Sequence, residues 1–288
     1  MKANLAHRTI QANGLRLHAV EAGPEDGPPV ILLHGFPEFW YGWREQIGPL
    51  AAAGFHVLAP DQRGYNLSDK PAGVAAYCLE ALVADVFGLM DACGWDRAAL
   101  VGHDWGALVA WMAALWRPGR VARLGILNVP HPAAVPRVLL THPEQLLRSG
   151  YILFFQIPRL PEAILRNGDW GPVVKMLRAS SRPGAFLDED VERYRRAWWR
   201  AGAFTAMLNW YRALVRWPPE IPPDPRLRLP ALILWGVHDI ALVRALAPAS
   251  LSLCDNGKLV FFEHATHWLQ HEEPAKVNRL LIEFLKNG

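Results

Sequence analysis

Short apolar runs bounded by turn residues recur along the chain and predict the strands of a sheet. They are PVILLHG (29–35), HVLAPD (56–61), AALVGHD (98–104), LGILNVP (124–130), ALILWGVHD (231–239) and LVFFEHATH (259–267). Runs that are apolar at every position suit parallel strands covered by helices on both faces. Between them, ALVADVFGLMDACG (81–94) and ALVAWMAALWRPG (107–119) predict helices that end at glycine or Arg-Pro-Gly. The predicted class is therefore α/β, with a mostly parallel, doubly wound sheet.

The alternation of apolar strand runs and helical segments changes at two places. Near the start, HRTIQANGLRLHAVEAG (7–23) has Asn-Gly between two alternating segments, which predicts an antiparallel hairpin at the sheet edge. From about residue 131 to 230 no buried-strand run occurs, and the segments are helical and rich in aromatic residues. We therefore expect a helical cap domain at 131–217, inserted into a core domain made of 1–130 and 218–288. Such a cap would cover the carboxyl edge of the strands, where α/β folds bind ligands.

Composition and charge narrow the class of function. The 288 residues are about half hydrophobic and carry a net charge of +3, which is dispersed along the chain. The densest basic cluster, RYRRAWWR (193–200), has helical spacing and predicts a solvated helix face, not a nucleic-acid site. The N-terminal segment MKANLAHRTIQANG lacks the apolar run of a signal peptide, and no apolar stretch reaches the ~18–20 residues of a membrane span. The three cysteines show neither metal nor redox spacing. We expect a cytoplasmic protein with no metal, cofactor, membrane or nucleic-acid partner.

The first candidate for chemistry is Asp104, in the segment GHDWG (102–106). The segment follows a strand and opens a helix, and its two glycines permit the tight turn of a nucleophile elbow. Aspartate is also a good helix N-cap, and the elbow alone does not separate these two readings. A carboxylate is an anion at neutral pH, because its ordinary pKa is ~4, and it can attack a saturated carbon to form an alkyl ester. Asp104 thus points to ring opening or displacement at carbon.

Such a reaction needs an oxyanion hole for hydrolysis of the ester. In folds of this kind, one donor comes from the loop after the early strand, here HGFP (34–37), and one from the residue after the nucleophile. We therefore assign these two positions to the backbone N–H groups of Phe36 and Trp105. A cis bond before Pro37 and an ordinary proline turn both remain open.

The reaction also needs a base, and a carboxylate to orient it. Asp239 follows a buried strand on its carboxyl side and suits the second role, whereas Asp255 lies in a turn and Asp188 in the cap. His267 lies in a loop after both carboxylates, the order found in this fold. We expect His264 at a strand end and His271 on a helix surface.

Two cap tyrosines could supply the acid. Tyr151 in GYILFFQIP and Tyr211 in LNWYR each carry an O–H that could donate to a developing alkoxide. Packing in the core is the alternative reading for any aromatic side chain of the cap. A halide leaving group would instead need N–H donors and no proton.

With these residues in place, the chain resembles the α/β-hydrolase-fold epoxide hydrolases of the soluble type. The resemblance rests on HGFPEFWYGWREQ, APDQRGYNLSDKP, GHDWGALVAW, NVPHP, YILFFQIP, LNWYR and THWLQHEEPAKVN, which occur in this order over nearly the whole chain. It implies an enzyme without cofactor that converts a small hydrophobic epoxide and water to a vicinal diol, and we expect no membrane anchor or phosphatase domain. The implied roles are nucleophile for Asp104, water-activating pair for Asp239 and His267, epoxide-polarising donors for Tyr151 and Tyr211, and oxyanion hole for Phe36 and Trp105. We also expect substrate contacts from Trp40, Phe155, Trp210 and Trp268.

Three other functions compete with this interpretation. The related haloalkane dehalogenases share HGFP, GHDWG and the three triad residues, so only the two tyrosine segments discriminate. A non-catalytic receptor that keeps the pocket is a second alternative, and a serine esterase, which the elbow does not support, is a third. Departures from the family pattern are Asn66 in place of a frequent glycine, Asn128 where an acidic residue could stand, and no arginine directly after Asp104. A homodimer is left open.

Overall fold

An eight-stranded sheet forms the centre of the computed structural model, which describes residues 5–287. The strands are β1 (Ala6–Ala12), β2 (Leu15–Ala22), β3 (Pro29–Leu33), β4 (His56–Pro60), β5 (Ala98–His103), β6 (Val121–Leu127), β7 (Ala231–Gly236) and β8 (Gly257–Phe262). Their order across the sheet is β1-β2-β4-β3-β5-β6-β7-β8. β2 pairs antiparallel with β1 and β4, and the remaining pairs are parallel. The edge hairpin and the mostly parallel sheet are thus confirmed.

Twelve α-helices occur within residues 5–287. They are α1 (Arg44–Ala52), α2 (Leu79–Ala92), α3 (Trp105–Trp116), α4 (Val135–Leu139), α5 (Glu144–Arg148), α6 (Tyr151–Phe155), α7 (Leu160–Ser180), α8 (Asp188–Trp198), α9 (Ala203–Arg216), α10 (Leu246–Leu251), α11 (Leu269–Glu272) and α12 (Pro274–Lys286). Among those that pack against the strands are α1, α2, α3 and α12. Non-helical backbone interrupts α7 at residues 167–170. β4, β5 and β7 are buried along their whole length, which explains why their sequences are apolar at every position.

The chain reverses its direction of travel across the sheet at β3. From β3 it moves to β4 on one side and then crosses to β5 on the other. Because β3 and β5 are parallel neighbours, the loops at their carboxyl ends emerge side by side, as ligand-binding loops do at such a switch point. The HGFP loop after β3 therefore lies against the elbow after β5.

Between β6 and β7 the chain forms helices α4 to α9, and none of the eight strands lies in this segment. Two hydrogen bonds tie α8 to the loop after β3: the indole N–H of Trp198 donates to the carbonyl of Pro37 (2.7 Å), and the Tyr194 hydroxyl donates to Glu38 (2.7 Å). The division into a core domain and a cap at 131–217 stays a prediction. Over the described residues, no helix combines the length and apolar character needed to cross a bilayer.

Candidate active site

Asp104 occupies a strained turn between β5 and α3. Its backbone has φ 50° and ψ −124°, a conformation that few non-glycine residues adopt. A side chain at Gly106 would lie 2.0 Å from the Leu33 carbonyl oxygen, and one at Gly102 would lie 2.4 Å from the Gly106 carbonyl oxygen. Both glycines are thus required by close backbone approach. The Asp104 side chain makes no capping hydrogen bond with α3, so the helix-cap reading is wrong.

The two oxygens of the Asp104 carboxylate have different neighbours. Oδ1 accepts a hydrogen bond from the backbone N–H of Phe36 (2.7 Å), and Oδ2 lies 3.5 Å from Nε2 of His267. The Trp105 N–H makes no hydrogen bond to this carboxylate within residues 5–287. One oxygen is therefore held by the HGFP loop, and the other faces the histidine.

His267 and Asp239 form a tightly bonded pair beneath Asp104. Nδ1 of His267 lies 2.7 Å from Oδ2 of Asp239, and both residues are buried. The other oxygen, Oδ1, accepts from the N–H groups of Ala241 (2.7 Å) and Leu242 (3.0 Å). These contacts fix the orientation of the carboxylate and, through it, that of the imidazole ring. The other candidates lie elsewhere, since Asp255 pairs with Arg226 and Asp188 with Arg178 at the surface.

Asn128 is a part of this site that the sequence interpretation noted only because it is not acidic. Its side-chain amide donates to Oδ2 of Asp239 (2.7 Å), and its Oδ1 accepts from the Gly236 N–H (2.6 Å). The residue is fully buried and has φ 53°, which asparagine tolerates better than most residues. Its signal in the sequence was a polar residue directly after an apolar strand.

Charges within the site shift two pKa values. Burial disfavours the imidazolium, but the carboxylates of Asp239 and Asp104 outweigh it and raise the pKa of His267 to about 10. Burial likewise opposes ionisation of Asp104, yet the adjacent His267 lowers the pKa of this carboxyl below its ordinary value. In the free protein at neutral pH, His267 is therefore a cation between two carboxylates.

The triad opens into an apolar cavity of about 380 Å³. Its wall consists of Phe36, Asp104, Arg148, Tyr151, Phe154, Phe155, Leu165, Met176, Ser180, Tyr211, Ile240, Ala241, His267 and Trp268. Tyr211 is 3% exposed and Tyr151 41%, and their ring centres are 5.8 Å apart. Burial is the largest cause that raises the pKa of each hydroxyl well above its ordinary value, and the Asp104 carboxylate adds to it, so both hydroxyls remain protonated donors. The cavity thus brings both tyrosines to the same space as Asp104.

Two of the four expected substrate-contact residues do not line this cavity. Phe155 and Trp268 do, whereas Trp40 and Trp210 are absent from its wall. Trp40 packs edge-on against His7 near the sheet edge, at 5.4 Å between ring centres. The indole N–H of Trp210 donates to the Arg63 carbonyl (3.1 Å), which turns this side chain into the core. The predictions for Trp40 and Trp210 are therefore wrong.

A buried polar cluster around Glu38 lies behind the site. Glu38 accepts from the Tyr194 hydroxyl (2.7 Å) and contacts Nε2 of His271 (2.7 Å). His103 connects the cluster to the triad, because its Nδ1 lies 3.3 Å from Oε2 of Glu38 and its Nε2 lies 2.8 Å from the backbone carbonyl of His267. His271 is thus buried, and its placement on a helix surface is wrong. His264 is exposed. No group of His, Cys, Asp and Glu within residues 5–287 has an arrangement suited to a metal ion.

Comparisons with known proteins agree with this geometry. Residues 28–151 match a family model described as the alpha/beta hydrolase fold. The chain is 48% identical to the AB hydrolase superfamily protein YfhM of Bacillus subtilis, over 96% of this chain and 97% of that protein. It is 38% identical to epoxide hydrolase A of Mycobacterium tuberculosis, over 96% of each. A crystal structure of Bacillus megaterium epoxide hydrolase covers 97% of this chain and all of its own, with a TM-score of 0.87 and 30% identity. The chain belongs to the epoxide hydrolase family of the α/β-hydrolase fold.

Proposed function

We propose that this protein hydrolyses small hydrophobic epoxides to vicinal diols without a cofactor. The observation that carries the proposal is one apolar cavity lined by a carboxylate nucleophile, a histidine and two tyrosine hydroxyls. The names of the relatives support the same activity. A cytoplasmic location and a homodimer stay predictions.

Ring opening is the first step of the proposed reaction. Tyr151 and Tyr211 hold the epoxide oxygen and donate a proton to the alkoxide as the ring opens. Oδ2 of Asp104 attacks a ring carbon, because Oδ1 is already engaged by the Phe36 N–H. The C–O bond that forms makes an alkyl ester, in which Oδ1 becomes the carbonyl oxygen.

Hydrolysis of this ester is the second step. Esterification removes the negative charge of Asp104, which is one of the contributions that raise the pKa of His267 in the free protein. The imidazolium then passes its proton, through solvent, to the tyrosinate that ring opening left, and the neutral imidazole becomes the base that deprotonates a water molecule. The resulting hydroxide attacks the ester carbonyl carbon, and negative charge develops on Oδ1. The Phe36 N–H supports this charge, with the Trp105 N–H as the expected second donor. Collapse breaks the bond between the carbonyl carbon and Oδ2, and the departing diol oxygen takes the proton of the new carboxyl group, which returns the Asp104 carboxylate beside the imidazolium.

Isotope labelling tests the covalent mechanism directly. A single turnover in heavy-oxygen water should place the label in Asp104, because the diol takes its oxygen from the unlabelled carboxylate. Mass spectrometry of the peptide and of the diol measures both positions. Label found in the diol and absent from Asp104 would exclude the ester.

The alternative function is dehalogenation of haloalkanes with the same triad. It would require N–H donors for a halide ion, and the Trp105 side chain does not line the cavity. Diol formation from styrene oxide, compared with halide release from chloro- and bromoalkanes, separates the two. Halide release without diol formation would reverse the assignment.

A further inference from the structure

One cationic side chain besides His267 lines the cavity wall: Arg148, at the end of α5. Its Nη1 donates to the backbone carbonyl of Asp239 (2.9 Å), which holds the guanidinium beside the triad. Arg148 forms no ion pair with any carboxylate of residues 5–287 at a 4.0 Å limit, including Glu144 one turn earlier. Arg212 of α9 provides a contrast, because Glu162 engages two of its nitrogens at 2.8 and 3.0 Å. Arg148 is an exposed residue of the cavity wall, and it presents to the cavity a charge that no carboxylate of the described residues neutralises.

Arg148 has more N–H donors than its hydrogen bond to the Asp239 carbonyl uses. A guanidinium has five N–H donors in a planar fork, and one contact to a backbone carbonyl occupies few of them. That fork matches the two oxygens of a carboxylate. The rest of this wall is apolar, with Phe154, Leu165, Met176 and Ile240 among its members. The ligand chemistry that complements this wall is an apolar body with one anionic end.

The charge balance of the site supports the same conclusion. Asp104 and Asp239 contribute two negative charges, and the imidazolium of His267, with its pKa of about 10, contributes one positive charge. These three residues together carry one net negative charge, which would repel an anionic substrate. The charge of Arg148 cancels it.

We propose that Arg148 binds a carboxylate group of the substrate, so that this enzyme prefers apolar epoxides with an anionic end. This specificity rests on the proposed epoxide hydrolysis. In the bound substrate, the carboxylate lies at Arg148 on the Asp239 side of the cavity, and the apolar chain spans the wall to place the epoxide ring at Asp104.

The experiment compares charged and neutral forms of the same substrates. The terminal epoxides of hexenoic, octenoic and undecenoic acids are each paired with their methyl esters, and kcat/KM is measured for both. We expect the native protein to prefer at least one acid over its ester. In Arg148→Gln the ratio of acid to ester should fall about two- to fivefold, the size of one ion pair at an exposed site. Arg148→Lys should retain part of the ratio, and added salt should reduce it in the native protein.

Arg137 on α4 offers the matched control, because it is an exposed cap arginine outside the cavity wall. Arg137→Gln should leave the acid-to-ester ratio unchanged. If Arg148 only ties α5 to the Asp239 loop, Arg148→Gln will lower both rates equally, and the unchanged ratio would overturn the inference. Turnover of the esters with no charge preference in the native protein would also overturn it while leaving the proposed function intact. Absence of diol from every substrate would overturn both.

Discussion

The floor of the cavity is Asp104 and His267, together with Asp239, which is bonded to the imidazole, and the roof is Tyr151 and Tyr211. The two are held in different ways. On the floor, hydrogen bonds of 2.7 to 3.0 Å fix both oxygens of Asp239 and one oxygen of Asp104. On the roof, aromatic packing holds Tyr211, whose ring lies edge-on to Trp105 at 4.9 Å. Tyr151 is far more exposed than any residue of the floor.

The floor is held by hydrogen bonds and the roof by aromatic packing, and this difference bears on which of them controls the reaction and which the range of substrates. Hydrogen bonds restrict both distance and angle, so the floor has one geometry in the free protein. Aromatic packing restricts mainly distance and tolerates wider changes of orientation. Near Tyr151 the roof also exposes Leu147 (84%) and Leu153 (71%), which have few neighbours to hold them. We therefore expect the floor to set the reaction and the roof to set which epoxide reaches it.

The largest expected effect comes from removing the acid of the roof. With both Tyr151 and Tyr211 replaced by phenylalanine, ring opening should slow by about 10³-fold or more, because no proton donor remains for the alkoxide. Rapid-quench measurement of the alkyl-enzyme checks this. Each single substitution is the control and should retain measurable activity, with the larger loss at Tyr211, because it is the more rigidly packed donor. Ring opening at the native rate in the double variant would assign the acid elsewhere.

Replacing His267, the expected base, should leave ring opening intact and block hydrolysis of the ester. His267→Gln should allow one fast ring opening and then slow steady turnover by about 10³-fold, because no base remains to activate water. Intact-protein mass spectrometry should detect the ester on Asp104. An unimpaired second step would move the base to another residue.

The pH dependence of stability tests the charge state of the floor. Because folding raises the pKa of His267 from 6.5 to about 10, protonation stabilises the folded protein. This contribution should be complete below about pH 6.5 and should be lost as the pH rises to about 10. Denaturant unfolding across this interval measures it, with His267→Gln as the reference. Equal pH profiles for the two proteins would contradict the ion arrangement.

The smallest expected effect comes from replacing Asn128, which donates a hydrogen bond to Asp239. Asn128→Ala removes the amide that donates to Asp239 and should cost about 1 to 3 kcal/mol of stability, because buried partners lose their hydrogen bonds. It should also lower kcat more than it raises KM, since Asn128 acts through Asp239. Thermal unfolding and steady-state kinetics measure both. Asn209→Ala, in the roof helix α9, is the comparison. A loss of kcat as large as that of His267→Gln would mean that Asn128 has a direct role.

Sequence reasoning predicted which side chains meet at one edge of the sheet, because this depends on a residue's position relative to a strand end. Asp104, Asp239 and His267 each follow an apolar run, and parallel strands bring such ends to one edge. The same reasoning failed for the aromatic residues, because an aromatic side chain in a sequence carries no sign of the side to which it turns. Trp210 precedes Tyr211 on α9 and points about 100° away around the helix, so one ring enters the core and the other the cavity. Glu38 and His271 were hidden for a related reason, since their contact joins segments 233 residues apart.

The sequence by itself determined the sheet, the elbow and the chemical type of the proposed nucleophile, because these depend on local periodicity, glycine spacing and side-chain chemistry. Only the tertiary structure decided which oxygen of Asp104 faces His267, which aromatic rings line the cavity, and that Arg148 lies in its wall without an ion pair to any carboxylate of residues 5–287. Each of these depends on side-chain directions and on distances between remote segments, which no local pattern encodes.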